Sequence, residues 1–296
     1  MIYTDFDLNS LKIFMAVFES GGIDKASKKL FISQPAVSIS IKKLEEKLGG
    51  QLFTRLPKGI VPTEEGERFY MECKQGLNIL ENAFQNFSPE SALQKGSLKI
   101  GASTSIIKHV LMKAVKKFGK EYPNIKISFT EVIASRLERY LMNGDIDIAF
   151  MEEPIYNLAA YETKQIGSLT SCFVASNNFL KNELTKKEME DFNYAVLKNN
   201  TNHRALFDNI CLKNNLMLNV FYEMASFETL AEICESELAV GFVIEEFVKN
   251  ELKLGKLKKI VTPINLPKSI LFMLLPKTHS SGFICKKFLE FLETIK

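Results

Sequence analysis

Catalysis and metal binding have little to work with in this sequence. Its three histidines, His109, His203 and His279, stand far apart, and its five cysteines, Cys73, Cys172, Cys211, Cys234 and Cys285, include no Cys-x-x-Cys pair. That spacing matches neither a zinc site nor a disulfide framework. Nor is there a Gly-rich phosphate loop with lysine, an order of Ser, His and Asp, or a pair of acids set for hydrolysis. The sequence therefore predicts no cofactor, no metal and no catalytic residue. Cys211 and Cys234 raise a redox alternative, but their surroundings are ordinary, without the basic neighbours that lower a thiol pKa.

Recognition chemistry is concentrated near the N-terminus instead. Ser33-Gln34-Pro35 opens a segment that continues through Ser38, Ile39, Lys42 and Lys43. The Gln34 amide can pair with an adenine edge, and the Ser38 hydroxyl with several bases. Lys42 and Lys43 suit phosphate. Ile39 either touches a thymine methyl group or packs on a neighbour. Further on, Pro57-Lys58-Gly59 reads as a tight turn between two short strands, a hairpin that carries Arg55 and Lys58. Both suit phosphate or the minor groove of double-stranded DNA. Each charge alone reads as a solvated surface residue; together with the preceding helix they read as a DNA-binding surface.

The elements that position these groups follow from periodicity. Leu8, Leu11, Phe14, Met15, Val17 and Phe18 recur at helical spacing, and Gly21-Gly22 ends that helix. Asp24 is placed to cap a second helix, with Ala26 and Leu30 inward. Phe31-Ile32 forms the turn. Ser33 is a good N-cap, and Pro35 costs nothing in a first turn. Val37, Ile41, Leu44 and Leu48 share the buried face of the third helix, which leaves Gln34, Ser38, Ile39 and the lysines outward. The helix–turn–helix geometry puts the start of that third helix into a major groove. Charge agrees in sign: residues 1–62 hold nine Lys/Arg and six Asp/Glu, so the chain's whole net charge of +3 lies in its first fifth.

Leu11-Lys12-Ile13-Phe14, Ala26, Leu30, Ser33-Gln34-Pro35-Ala36-Val37-Ser38, Lys43-Leu44-Glu45, Leu48-Gly49, Leu52-Phe53-Thr54-Arg55 and Thr63-Glu64-Glu65-Gly66 stand in an order and spacing that resembles the LysR-type transcriptional regulators. The chain departs from the family at Gly21-Gly22, where a Gly-Ser pair is usual, at Ser27, where a second Ala is usual, and at Ile39-Ser40, where Arg or Gln often follows the serine. The resemblance implies a DNA-binding transcription regulator, not an enzyme. Its DNA would be a promoter site of roughly palindromic sequence.

Thr63, Glu64 and Glu65 open a long helix. Phe69, Cys73, Leu77, Leu80, Phe84 and Phe87 make a narrow apolar seam along it, as in a two-helix coiled coil. One reading packs this seam on its own domain. The small N-terminal domain offers little surface, which favours a second copy. The resemblance likewise implies a dimerising linker helix within a dimer or tetramer. Ser88-Pro89-Glu90-Ser91 ends the helix. The expected division is residues 1–62 for a winged helix-turn-helix, 63–90 for the linker and 91–296 for a regulatory domain.

From Gly96 onward, apolar runs alternate with helical patterns. Strands are expected near 97–102, 125–132, 146–150, 172–175, 194–197, 221–223, 240–243 and 270–275. Helices are expected over 106–122, 135–142, 203–214, 226–236 and 281–294. That alternation predicts an α/β domain with a largely parallel, doubly wound sheet. It also resembles the family's effector-binding domain, itself similar to periplasmic binding proteins, with two sub-domains around a cleft and two chain crossings. Ligands of such folds sit where strands end and helices begin. Ser103, Thr104 and Ser105, then Asn200, Thr201 and Asn202, then Ser226 occupy such places and are expected to face one cleft. Their hydroxyls and backbone N–H groups suit a carboxylate or other anion on a small molecule. The competing reading is helix capping, and one residue can do both. A solute-binding protein would explain this region but not residues 1–62. No run of about 18 apolar residues occurs, and the N-terminal residues are acidic, without a basic-then-apolar signal. The sequence thus points to the cytoplasm, with no membrane partner.

Overall fold

The computed structural model describes residues 7–56, 59–155, 157–277 and 281–294. The chain divides into two compact units, Met1–Leu80 and Glu81–Lys296.

The first unit contains α1 (Leu8–Ser20), α2 (Ile23–Leu30), α3 (Gln34–Leu48), a hairpin of β1 (Phe53–Leu56) and β2 (Gly59–Pro62), and most of α4 (Glu64–Phe87). Asp7 caps α1, its carboxylate accepting the N–H groups of Asn9 and Ser10. Gly21 ends that helix at φ 68°, a conformation other residues adopt only with strain. Ser33 caps α3 through the N–H of Ala36, as expected. Two expectations fail. The N-cap of α2 is Gly22, which has no side chain to offer, and Asp24 lies inside the first turn with its carboxylate turned to other partners. Leu48 is 44% exposed rather than buried with Val37, Ile41 and Leu44, because Gly49 ends the helix one residue later and nothing packs over the last turn.

Phe14 is the centre of this unit's core, fully buried, with its ring 5.6 Å from Phe53 and 5.3 Å from Phe69. The hairpin is tied to α3 by Glu45, whose carboxylate accepts the N–H groups of Leu52 (2.8 Å) and Phe53 (3.2 Å). The start of α4 is tied to the same place. Thr63 donates its hydroxyl to the Gln51 carbonyl and accepts the N–H of Gly66. Gly66 is required there, because a Cβ would stand 2.1 Å from the Leu52 carbonyl oxygen.

The apolar seam of α4 divides along its length. Phe69, Cys73 and Leu77 pack against the core of their own unit, and Tyr70 is buried with its ring stacked 3.9 Å from Phe18. Leu80 is 45% exposed, Phe84 74% and Phe87 91%. The small domain thus covers more of the seam than its size suggests: Phe14 and Phe18 of α1 meet Phe69 and Tyr70 in the first turns of α4.

In the second unit α5 (Pro89–Lys95) leads into β3 (Ser97–Ala102). Then come α6 (Thr104–Ile106), a π-helical turn (Ile107–Leu111), α7 (Met112–Glu121), β4 (Lys126–Glu131), α8 (Ala134–Met142) and β5 (Ile148–Glu152). The chain continues through β6 (Tyr161–Ser176), β7 (Asn193–Leu197), α9 (Asn202–Lys213), β8 (Asn219–Met224), α10 (Phe227–Glu235) and β9 (Val240–Ile244). It ends with α11 (Lys249–Lys253), β10 (Leu257–Ile260), β11 (Lys268–Pro276) and α12 (Phe283–Glu293). The strand order is β4-β3-β5-β11-β6-β9-β7-β8, with β10 paired to β6.

The α/β class holds, but the sheet is mixed rather than largely parallel. β4, β3 and β5 run parallel in one half, and β8, β7 and β9 run parallel in the other. Between them β11 and β6 pair antiparallel to each other and to their outer neighbours. The reason is the double crossing. β6 carries the chain from the first half to the second, β11 carries it back, and oppositely directed crossing strands pair antiparallel. Only the apolar end of β6 was legible in the sequence, since its first ten residues are mostly polar, and the short β10 left no signal.

Candidate DNA-binding surface and ligand cleft

Every candidate DNA-contacting residue that the structure describes lies on α3, its N-cap or the hairpin. Ser33 is committed to capping. Gln34, Pro35, Lys42, Lys43 and Arg55 are exposed, Ser38 is half-buried, and Ile39 is 55% exposed with no cover over it. Lys58 lies outside the described residues. Lys42 stands 3.6 Å from Glu46 one turn along the helix, both well exposed, a pairing weak enough in water to yield to phosphate. Arg55 sits on β1 opposite Ile60.

Asp24 was missed as part of this surface. Its two carboxylate oxygens accept from the Gln34 amide and from the Lys28 ammonium, each at 2.8 Å. The Gln34 side chain is therefore held by α2 at the mouth of the helix–turn–helix, and must leave Asp24 or share it to reach a base. The i, i+10 separation gave no periodic signal for this contact.

In the second unit, Ser103, Thr104, Ser105, Thr201, Asn202 and Ser226 line one cleft of about 200 Å3; Asn200 is exposed and stands outside it. The cleft lies beyond the carboxyl ends of β3, β5, β7 and β8, where parallel strands hand over to helices. Its apolar walls include Leu137, Phe150, Met151, Leu197 and Phe227. Ser103, Thr201 and Ser226 are the N-caps of α6, α9 and α10, accepting N–H groups of Ile106, Arg204 and Thr229. The capping reading is thus realised for these three, and their backbones still line the cleft. Thr104 donates its hydroxyl to Glu131 at 2.6 Å.

Two further cleft residues were not singled out from sequence. Glu152, at the end of β5, is 9% exposed, and its Oε2 has no hydrogen-bond partner. Burial, and then the like charge of Glu246, raise its pKa to about 7. His203, in the first turn of α9, is 3% exposed, stacked 4.5 Å from the Phe242 ring and edge-on to Phe227. Burial drives its pKa down to about 3, so the imidazole is neutral. The Asn202 amide donates to the Glu152 carbonyl at 2.7 Å and joins the two halves of the sheet across the cleft floor. A carboxylate directly after the apolar run Ile148–Met151 was the available signal for Glu152.

No group of three or more His, Cys, Asp or Glu that could hold a metal occurs among the described residues. The cysteines are held in the thiol form: burial raises Cys73 and Cys211 to about 11 and Cys172 and Cys234 to about 12, and pushes Cys285 higher still. Among the described residues, no helix is long and apolar enough to cross a membrane.

Comparison with known proteins agrees with this geometry. Residues 8–67 match the family described as bacterial regulatory helix-turn-helix protein, lysR family, and residues 91–295 match the LysR substrate binding domain. A probable RuBisCO transcriptional regulator of Thalassiosira pseudonana is 27% identical over 290 residues, covering 93% of this chain and 94% of that protein. An uncharacterized HTH-type transcriptional regulator of Bacillus subtilis is 26% identical over 263 residues, covering 86% and 87%. In fold, the chain is similar to full-length OxyR from Pseudomonas aeruginosa, at a TM-score of 0.74 and 18% identity over 98% of this chain and 94% of that one. A probable transcriptional regulator from the same organism aligns at a TM-score of 0.68 and 16% identity, covering 99% and 98%.

Proposed function

This chain belongs to the LysR family of transcriptional regulators, and from that premise we propose which of its residues read DNA, which bind a ligand and which pair two copies. The DNA surface is the exposed face of α3 with the hairpin: Gln34, Ser38 and Ile39 toward bases, and Lys42, Lys43 and Arg55 toward phosphate, with Ser33 and Pro35 setting the helix start; Lys58 joins them as a phosphate contact on its sequence position alone. The observation that carries this reading is the outward presentation of Gln34, Ile39 and Arg55 from elements locked together by Glu45. The second unit takes a small-molecule effector in the cleft lined by Ser103, Thr104, Ser105, Thr201, Asn202 and Ser226; Asn200, next to Thr201 in sequence, lies outside that lining.

Self-association uses the linker seam. Phe69, Cys73 and Leu77 stabilise the helix on its own core, and Leu80, Phe84 and Phe87 supply the apolar surface for a second copy, in a dimer or tetramer. Paired recognition helices about one DNA turn apart would read a pseudo-palindromic promoter site. The working division is residues 1–62, 63–90 and 91–296. The protein acts on DNA in the cytoplasm by binding and has no catalytic role of its own. The test is a gel-shift titration of the full chain against DNA upstream of its own gene. Binding that falls steeply with salt is expected; absence of any shift at moderate salt overturns the reading.

A further inference from the structure

We propose that the ligand of the cleft carries a protonated amine that pairs with the Glu152 carboxylate, a small amino acid being the simplest molecule that fits. This rests on the reading of the cleft as the ligand site and names the class of molecule it takes.

The charge inventory of the cleft points this way. None of its described lining residues is Lys or Arg, and two, Glu131 and Glu152, are acidic. The nearby cations are engaged elsewhere. Arg204 is paired with Asp208 and Glu223 and donates to the Leu197 carbonyl. Lys108 is 3.3 Å from Glu228. A ligand with anionic groups alone, such as a phosphate ester, would meet two carboxylates and no neutralising cation.

Glu152 is the group left incomplete. A buried carboxylate oxygen without a partner is unfavourable unless something supplies a donor. The surrounding protein does not: Glu246 brings like charge, the Asn202 amide is spent on the Glu152 backbone carbonyl, and His203 is neutral with neither ring nitrogen in a hydrogen bond of normal geometry. An ammonium group entering the cleft supplies the opposite charge to this carboxylate and, with a rotation of the side chain, the donor that its buried oxygen lacks. The other end of an amino acid is also provided for. The first turn of α9 opens on the cleft, and its helix dipole, with the N–H groups that Thr201 does not cap, favours a carboxylate; at α10 the Glu228 carboxylate already takes that place. Phe150, Leu137 and Phe227 remain for a short apolar side chain. A volume of about 200 Å3 limits the ligand to metabolite size.

The test is a thermal-shift and calorimetric screen of the full chain against matched trios. Each trio contains an amino acid, the acid lacking its amine and the amine lacking its acid: leucine, 4-methylpentanoate and 3-methylbutylamine; alanine, propionate and ethylamine; and so on through the aliphatic set. Expected is stabilisation by at least one amine-bearing member, with Kd at least tenfold weaker for its amine-free counterpart. Glu152→Gln is expected to weaken that ligand at least tenfold. Stabilisation confined to amine-free acids, no stabilisation by any amine, or binding within twofold in Glu152→Gln overturns the proposal. If Glu152→Gln does not fold, the wild-type trios decide alone. Ala225→Trp, which fills the cleft, separates the two readings. An amine-free acid whose binding Ala225→Trp abolishes overturns only the amine assignment. Binding indifferent to that variant overturns the site itself.

Discussion

Glu152→Gln has a pH-dependent effect on stability that can be worked out from the structure. The Glu152 carboxyl is raised from an ordinary value of 4.5 to about 7 in the fold, by burial first and by Glu246 second. At about 1.4 kcal/mol for each pH unit between folded and unfolded pKa, holding it ionised costs the fold about 3 kcal/mol once the pH is above 7. The sign follows from proton binding. Between pH 4.5 and 7 the folded chain holds a proton that the unfolded chain has released, so stability falls as pH rises through this window and levels off above it. Glutamine keeps the shape and removes the titration. Its buried amide brings a constant offset of about 1–3 kcal/mol if left unpaired, so the prediction concerns slope: the stability of Glu152→Gln relative to wild type should rise by about 3 kcal/mol from pH 4.5 to 8. Comparing the two proteins is essential, because His203 works in the opposite direction. Its pKa, lowered to about 3, makes both proteins lose stability as pH falls below about 6.5. The other acidic neighbours, Glu131 on the cleft wall and Glu153 next in sequence, are common to both. The chain contains no tryptophan, so urea unfolding is best followed by circular dichroism, with hydrogen exchange across β5 and β11 locating the effect. A difference that is flat with pH refutes the placement of Glu152 as a buried, unpaired carboxylate.

Arg55→Ala should weaken DNA binding on all sequences alike and lower the slope of log affinity against log salt by about 1; filter-binding titrations from 50 to 200 mM salt check this. Gln34→Ala should relax preference at one base position by about 1–3 kcal/mol in a binding-site selection, whereas Asp24→Ala, which releases the Gln34 amide, should leave that position read. Gly66→Ala forces a methyl group against the Leu52 carbonyl and should destabilise the first unit by about 1–3 kcal/mol, seen as an earlier unfolding transition. Phe84→Glu removes an exposed ring without touching either core, so analytical ultracentrifugation should show a weaker oligomer with an unchanged monomer melt.

The first unit was legible because its determinants are local. Ser33 with Pro35 marks a helix start, Gly21 and Gly49 mark helix ends, and Val37, Ile41 and Leu44 mark a face, all within one or two turns of one another. What escaped was set by neighbours distant in sequence. Asp24 suits an N-cap by residue type, yet the helix begins at Ile23 and the carboxylate instead meets Gln34 ten residues on. Leu48 keeps the period of the buried face but outruns the core beneath it. The seam of α4 is continuous in sequence and discontinuous in space, because the core of the first unit reaches Phe69, Cys73 and Leu77 and leaves Leu80, Phe84 and Phe87 exposed.

The cleft shows the same division in a form that bears on function. Ser103, Thr201 and Ser226 could be placed from sequence because capping and lining a strand-end cleft demand the same residues at the same junctions. Polar caps, however, do not fix the sign of the ligand's charge; that depends on which ionisable groups the fold gathers from distant segments. Glu152 arrives from β5, Glu131 from the end of β4 and Glu246 from the turn after β9, while Arg204, adjacent to the cleft in sequence, is drawn away by Asp208 and Glu223. A reading from caps alone favours an anion because it counts helix ends and cannot count the carboxylates facing them. With both counted, groups that attract an anion and groups that repel it line the same small space, and the proposed amino acid answers both, where a simple anion answers only the first.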